Sequence, residues 1–226
     1  MDGSATVLVS DAFARTEAAG WGTADNGGLW RIDDDVFDSF RVSDGRGLIV
    51  APNNRPRNAV ATSGYGVDVA GLVSFSIDRM PDNPNRFYTV QVYARRDDRF
   101  SDGDNYYRFR VRAFGTGKMD VRVEKNVNTV RTWLMDGARI ATIWSPGQRY
   151  WIRWESIGAS PSTTLHLRVW ADGAAEPSTW QIDTVVDEPA LDVAGTTGIR
   201  VEGPNADQVN YPITFSFDDL EYIGTN

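Results

Sequence analysis

Along much of this chain apolar and polar residues alternate one for one. In Tyr106–Phe114, Tyr107, Phe109, Val111 and Ala113 fall on one side, and Tyr106, Arg108, Arg110, Arg112 and Phe114 on the other. Leu165–Trp170 behaves alike, with His166, Arg168 and Trp170 opposite the leucines and valine. A period of two marks a half-buried strand whose second face meets something other than the core. The same reading along the chain predicts strands at Thr6–Val9, Leu29–Ile32, Ser39–Val42, Leu48–Ala51, Arg57–Thr62, Val67–Ile77, Phe87–Arg95 and Tyr106–Phe114. It continues with Met119–Glu124, Thr129–Leu134, Tyr150–Ile157, Thr164–Ala171, Gln181–Val186, Gly198–Glu202 and Ile213–Tyr222. Gly, Pro, Asn and Asp punctuate these runs, with loops at Arg79–Arg86, Asp97–Asn105, Gly158–Ser162 and Gly203–Asn210 and a turn at Asp136-Gly137. No long helical pattern intervenes. Many short strands without helices predict an all-β, antiparallel two-sheet β-sandwich. Strands reach both ends, so the terminal segments are expected to pair, and no linker divides residues 1–226 into more than one domain.

Composition narrows the function more than the fold. A hydrophobic fraction of 41% with 8 Trp, 8 Tyr and 10 Phe fills a sizeable core and excludes a disordered chain. The net charge of −8 argues against nucleic acid as a partner, because phosphates call for a basic surface. With no Cys there is no disulfide framework, thiol catalysis or Cys-based zinc site. No segment has transmembrane length and no signal peptide is visible at Met1–Thr6, so no membrane partner is expected.

Three groups of motifs carry a resemblance. They are Asp11-Ala12-Phe13-Ala14-Arg15-Thr16 followed by Gly20-Trp21-Gly22 and Gly27-Gly28-Leu29-Trp30; Arg168-Val169-Trp170-Ala171-Asp172-Gly173 with Glu176-Pro177 and Trp180; and Gly198-Ile199-Arg200 with Phe215-Ser216-Phe217-Asp218-Asp219-Leu220. Together they resemble the concanavalin-A-like (lectin/glucanase, laminin-G-like) jelly rolls of actinobacterial secreted proteins and actinobacteriophage minor tail proteins. The resemblance implies a jelly roll and a role in carbohydrate binding, adhesion or virion architecture. A Met-initiated chain without a signal peptide points toward a phage minor tail or tail-fibre protein, located in the virion or outside the cell. Its partners would be host-surface glycan, neighbouring virion subunits or a second copy of itself. A carbohydrate-binding module of a secreted actinobacterial protein is the first alternative, and a polysaccharide-active lyase or hydrolase the second.

Gly20-Trp21-Gly22, Trp30 and Trp180 are read as packing residues, an indole under a turn that only Gly tolerates. The outward face is the candidate ligand surface. If the strands bearing Arg108, Arg110, Arg112, Arg122, Trp151, Arg153, His166, Arg168 and Trp170 lie in one sheet, these side chains tile one surface. Indoles there would stack on sugar C–H faces and guanidiniums would bind hydroxyls or acidic groups. Trp and Arg are equally the residues of protein interfaces, and the arginines could simply pair with Asp120, Glu124 or Glu155. No cofactor is required. A structural Ca²⁺, which this fold class sometimes holds, would draw on Asp98, Asp102, Asp104 or Asp218, although Arg95, Arg96 and Arg99 could neutralise the loop carboxylates without a metal. Catalysis is not expected. The Glu-x-Asp-x-(x)-Glu strand of retaining glycosidases has no match beyond Asp120 and Glu124 four apart, the lyase strands are missing, and His166 is the only His.

Overall fold

The computed structural model describes residues 5–97, 105–204 and 210–225. It contains fifteen strands: β1 (Thr6–Asp11), β2 (Trp30–Ile32), β3 (Phe40–Ser43), β4 (Arg46–Ala51), β5 (Arg57–Ala61), β6 (Val69–Ile77), β7 (Phe87–Asp97), β8 (Asn105–Phe114), β9 (Lys118–Val127), β10 (Val130–Ile143), β11 (Tyr150–Ile157), β12 (Thr163–Ala171), β13 (Ile182–Val186), β14 (Gly198–Glu202) and β15 (Ile213–Gly224). Each overlaps a predicted run, and β10 extends well past its expected end at Leu134. The fold is an antiparallel β-sandwich. One sheet has seven strands in the order β10-β9-β8-β7-β14-β5-β2, and the other eight, in the order β13-β12-β11-β6-β15-β4-β3 with β1 also on β15.

β15 closes the molecule because it is long enough for three partners. β4 pairs with Ile213–Phe217 and β1 with Leu220–Gly224, while β6 runs along the other edge. The first and last strands therefore pair, as expected. The register breaks between Asp218 and Glu221, where Asp219 takes a left-handed conformation with φ 51°. The turn expected at Asp136-Gly137 is instead a bulge inside β10, which continues to Ile143 with register shifts on both sides of Met135. A Gly in the left-handed region lets the strand absorb extra residues without reversing.

Alternation fills the space between the sheets. Tyr107, Phe109 and Val111 of β8 and Val121 and Val123 of β9 belong to the same buried core as Val73, Phe75, Ile152, Trp154, Leu165, Leu167, Phe215 and Phe217 of the opposing sheet. Trp154 also donates from its indole Nε1 to the Tyr93 carbonyl of the other sheet at 3.1 Å. Gly71 lies under that indole, and a Cβ at Gly71 would collide with the ring.

Two arginines, one half-buried and one fully buried, tie loops of the sandwich together. Asp11, 1% exposed, takes both terminal nitrogens of Arg15 at 2.7 and 2.8 Å, the Phe13 amide at 2.8 Å and the Trp30 indole at 2.7 Å. The ring of Trp21 packs edge-on against Phe13, Trp30, Phe40 and Phe217. This knot accounts for the first motif group, and it places Trp21 and Trp30 in the core. Arg95 is fully buried. Its guanidinium donates to the carbonyls of Val67 (2.6 Å), Leu191 (3.1 Å) and Gly158 (2.5 Å), with Asp68 and Asp192 each at 3.5 Å. One side chain thus joins three loops, and burial pushes its guanidinium below the ordinary arginine value.

Substituting Arg95→Ala leaves those carbonyls without a donor and is expected to cost about 3–5 kcal/mol, the range for breaking a buried charged contact. Arg95→Lys should rescue little, because one ammonium cannot span three separated acceptors. Urea denaturation midpoints measure both; a loss below ~1 kcal/mol for Arg95→Ala would show that Arg95 is not a clamp.

Candidate glycan-binding face

The outer face of the seven-stranded sheet is a lattice of arginines, acids and rings set by strand register. One cross-sheet row runs Trp133–Glu124–Arg108–Tyr93. The next runs Arg122–Arg110–Gln91–Arg200, and a third Arg139–Asp120–Arg112–Thr89–Glu202. Because the pleat alternates, these residues point away from the core occupied by Phe109, Val111, Val121 and Val123.

Pairing within the lattice is tight in two places. Arg108 binds Glu124, both nearly inaccessible, and Arg112 binds Asp120 through two nitrogens. Burial draws the Arg108 guanidinium down, but the nearby Tyr93, Tyr106 and Glu124 outweigh it and hold it above its ordinary value. Each guanidinium also lies beside a pair of touching rings. Arg108 lies 5.8 and 5.2 Å from the rings of Tyr93 and Tyr106, and Arg112 lies 4.7 and 4.9 Å from those of Phe87 and Phe114. Trp133 is 36% exposed and carries Arg110, Arg122 and Arg131 at 5.3, 5.3 and 5.7 Å from its ring. The arginines therefore fix the indole rather than cover it, and each contact gains from cation–π attraction.

Two clefts open on this face and share Asn85. One, of about 440 Å³, lies between Phe87, Thr89, Arg110, Arg131 and Glu202. The other, of about 360 Å³, lies between Arg112, Phe114, Lys118, Asp120 and Arg139. Both volumes fall in the range of small-ligand sites.

The expected single surface is divided. Arg108, Arg110, Arg112 and Arg122 share this face, but Trp151, Arg153, His166, Arg168 and Trp170 lie on β11 and β12, in the other sheet. The chain changes sheets between β10 and β11, so local alternation reports a residue's face but not its sheet. The second group is largely satisfied by its own neighbours. Arg153 and Arg168 both bind Glu176 at 2.6 Å, and His166 sits between Glu155 at 3.1 Å and Asp183 at 3.2 Å. Trp170 is 8% exposed and stacks with Trp151, whose indole donates to Asp172 at 2.8 Å. Trp180, expected in the core, instead lies on this outer face, stacked on His166 at 4.7 Å and under Arg168 at 4.0 Å.

Of the four residues expected to serve a calcium ion, only Asp218 lies among the described residues. Asp98, Asp102 and Asp104 lie outside the described residues. Asp218 accepts from the Asp219 amide and lies 3.4 Å from Arg149, which also binds Asp219. Burial, then the Asp219 charge, pushes the Asp218 carboxyl up. Among the described residues no three His, Asp or Glu side chains gather as metal ligands.

Asp120 and Glu124 do share the outward face of β9, as the spacing suggests, but Arg122 stands between them and each grips its own arginine. The arrangement provides stacking rings, guanidinium donors and carboxylate acceptors on a rigid sheet, which is recognition chemistry. Trp133, Arg131, Gln91, Arg200 and Glu202 carry no binding expectation from sequence, Arg200 entering there only within the Gly198-Ile199-Arg200 motif.

No protein-family model and no curated protein sequence matches the chain. Solved structures do. LamA from Z. galactanivorans in complex with laminaritriose and laminaritetraose matches with a TM-score of 0.59 at 10% identity, over 96% of this chain and 98% of that one. A Bacillus licheniformis β-glucanase matches with 0.57 at 9% identity over 100% of both chains. Winged bean acidic lectin complexed with methyl-α-D-galactose matches with 0.54 at 8% identity, over 92% of this chain and 96% of that one. The chain thus has the concanavalin-A-like lectin/glucanase jelly-roll fold. These likenesses establish the architecture, and the chemistry has to be argued from the face itself.

Glu124→Ala strands a buried Arg108 and is expected to cost about 3–5 kcal/mol of stability. Trp133→Ala, at a partly exposed edge, should cost under ~1 kcal/mol. Denaturant titration of the two variants checks the contrast. Equal losses would mean that Trp133 is a structural residue.

Proposed function

We propose that this protein is a non-catalytic glycan-binding protein, and that it binds through the outer face of the seven-stranded sheet. The observation that carries the reading is Trp133, an indole left partly exposed and held in place by three arginines, two of which, Arg110 and Arg131, line the cleft of about 440 Å³. A pyranose presents an apolar C–H face that stacks on such a ring, while its hydroxyls need directed donors and acceptors at the rim. Arg110, Arg131, Thr89 and Glu202 supply both at the rim of one cleft. Their positions are set by the sheet before any ligand arrives, which lowers the ordering cost of binding.

Two features favour binding over catalysis. The carboxylates of β9 are each engaged with an arginine, whereas glycoside hydrolysis requires an acid and a second carboxylate facing the scissile bond. His166, the only His, lies on the opposite face between two carboxylates. That lectins and glucanases share this fold supports a carbohydrate ligand in general. The motifs resembling actinobacteriophage minor tail proteins support a virion-associated setting, in which the face would meet a host surface outside the cell.

Affinity electrophoresis through gels cast with host cell-wall polysaccharide tests the reading. Wild type should be retarded and Trp133→Ala should lose at least tenfold in affinity at unchanged melting temperature, while Trp170→Ala on the opposite face should still bind. Incubation with the retarding polysaccharide should release no reducing ends and no unsaturated products. Retardation undiminished in Trp133→Ala, or release of such products, would contradict the proposal.

A further inference from the structure

The middle row of the lattice is electrostatically out of balance. Arg122, Arg110 and Arg200 share it with Gln91, and Arg110 stands directly opposite Arg122 across the strand pair. Like charges in that relation destabilise a sheet. The row itself contains no carboxylate. Asp136 reaches Arg122 from the β10 bulge, and Glu202 is shared between Arg110 at 3.3 Å and Arg200 at 3.5 Å. Three guanidiniums therefore meet two carboxylates. The buried Nε atoms of Arg110, Arg122 and Arg200 have no hydrogen-bond partner, and neither has that of Arg108 in the adjoining row.

Arg131 adds a fourth guanidinium at the rim of the same cleft, and no carboxylate pairs with it among the described residues. The surplus collects in one place on a chain whose net charge is −8. Its centre is Arg110, whose two acceptors, Gln91 Oε1 at 3.4 Å and Glu202 at 3.3 Å, are both at long range. Burial, then the charge of Arg108, pushes its guanidinium down to about 10. Arginine keeps its proton at any ordinary pH, so Arg110 carries its charge in this row.

We infer that the cleft between Arg110, Arg131 and Glu202 seats an anionic group of an acidic polysaccharide, with the sugar ring stacked on Trp133. This rests on the glycan-binding reading and names the class of glycan. The nearby Glu202 keeps the excess small, which suits one negative charge per sugar repeat, a carboxylate or a phosphodiester. A guanidinium fork meets either group with two parallel hydrogen bonds. Binding supplies the counter-charge that the middle row lacks.

The test uses gels containing polygalacturonate (carboxylate), glycerol-phosphate teichoic acid (phosphodiester) or dextran (neutral), with wild type, Arg110→Gln and Trp133→Ala. Wild type is expected to be retarded by at least one acidic polymer, with affinity falling steeply as salt rises, and not by dextran. The acidic polymer that retards identifies the anion. Arg110→Gln should weaken that binding at least tenfold, while its melting temperature stays the same or rises because a repelling charge has gone. A fall in melting temperature would mark Arg110 as a structural residue and overturn the inference. Acidic binding that Arg110→Gln does not weaken would also overturn it. Retardation by dextran alone, lost in Trp133→Ala, would overturn this inference and leave glycan binding standing. No retardation in any of the three gels would overturn it too, while binding to host polysaccharide could still uphold the broader reading.

Discussion

Guanidinium groups withdrawn from water organise this molecule. A buried arginine cannot shed its proton and must find acceptors, acids or ring faces for five N–H donors. Arg15 finds them in Asp11 and the Trp21 carbonyl, which fixes the first strand to the aromatic knot. Arg95 finds them in three loop carbonyls at one end of the sandwich. Arg108 finds Glu124 and two tyrosine rings on the outer sheet face. Arg95 and Arg108 join separate strands and loops in this way, while the half-buried Arg15 ties together the segment that follows β1.

The same constraint gives the outer face its character. Arg108 and Arg112 each hold a carboxylate at close range, and they make that surface rigid. Arg110 is matched poorly, in a row that its neighbours load with like charge. Structural pairing explains the first two and offers no account of the third. A surface held stiff by paired charges, with one loosely paired guanidinium beside a fixed indole, is preorganised for a ligand carrying both an apolar ring face and a negative group.

Much of this was legible in sequence because strand alternation is local. The pleat alone decides that Tyr107, Phe109 and Val111 face one way and Arg108, Arg110 and Arg112 the other. Whether two such strands share a sheet depends on crossovers, which have no local signature, so β8 and β12 were joined in one imagined surface although they lie in different sheets. β10 was read short because Trp133-Leu134-Met135 breaks the alternation just before the bulge at Gly137. Trp133 was passed over for the same reason, and Trp180 was placed in the core because an isolated Trp in a loop does not reveal that His166 will lie beneath it. Partners such as Glu202 for Arg110 come from a strand 92 residues away.

The most direct test is a titration followed through the tryptophan indole N–H resonances of ¹⁵N-labelled protein, adding the polysaccharide that retards it in gels. The chain has 8 Trp, and three of them, Trp151, Trp170 and Trp180, report on the opposite face. The account predicts that the Trp133 indole signal moves first and furthest while those three stay in place. Movement at Trp151 or Trp180 with Trp133 unchanged would put the binding surface on the eight-stranded sheet and contradict it.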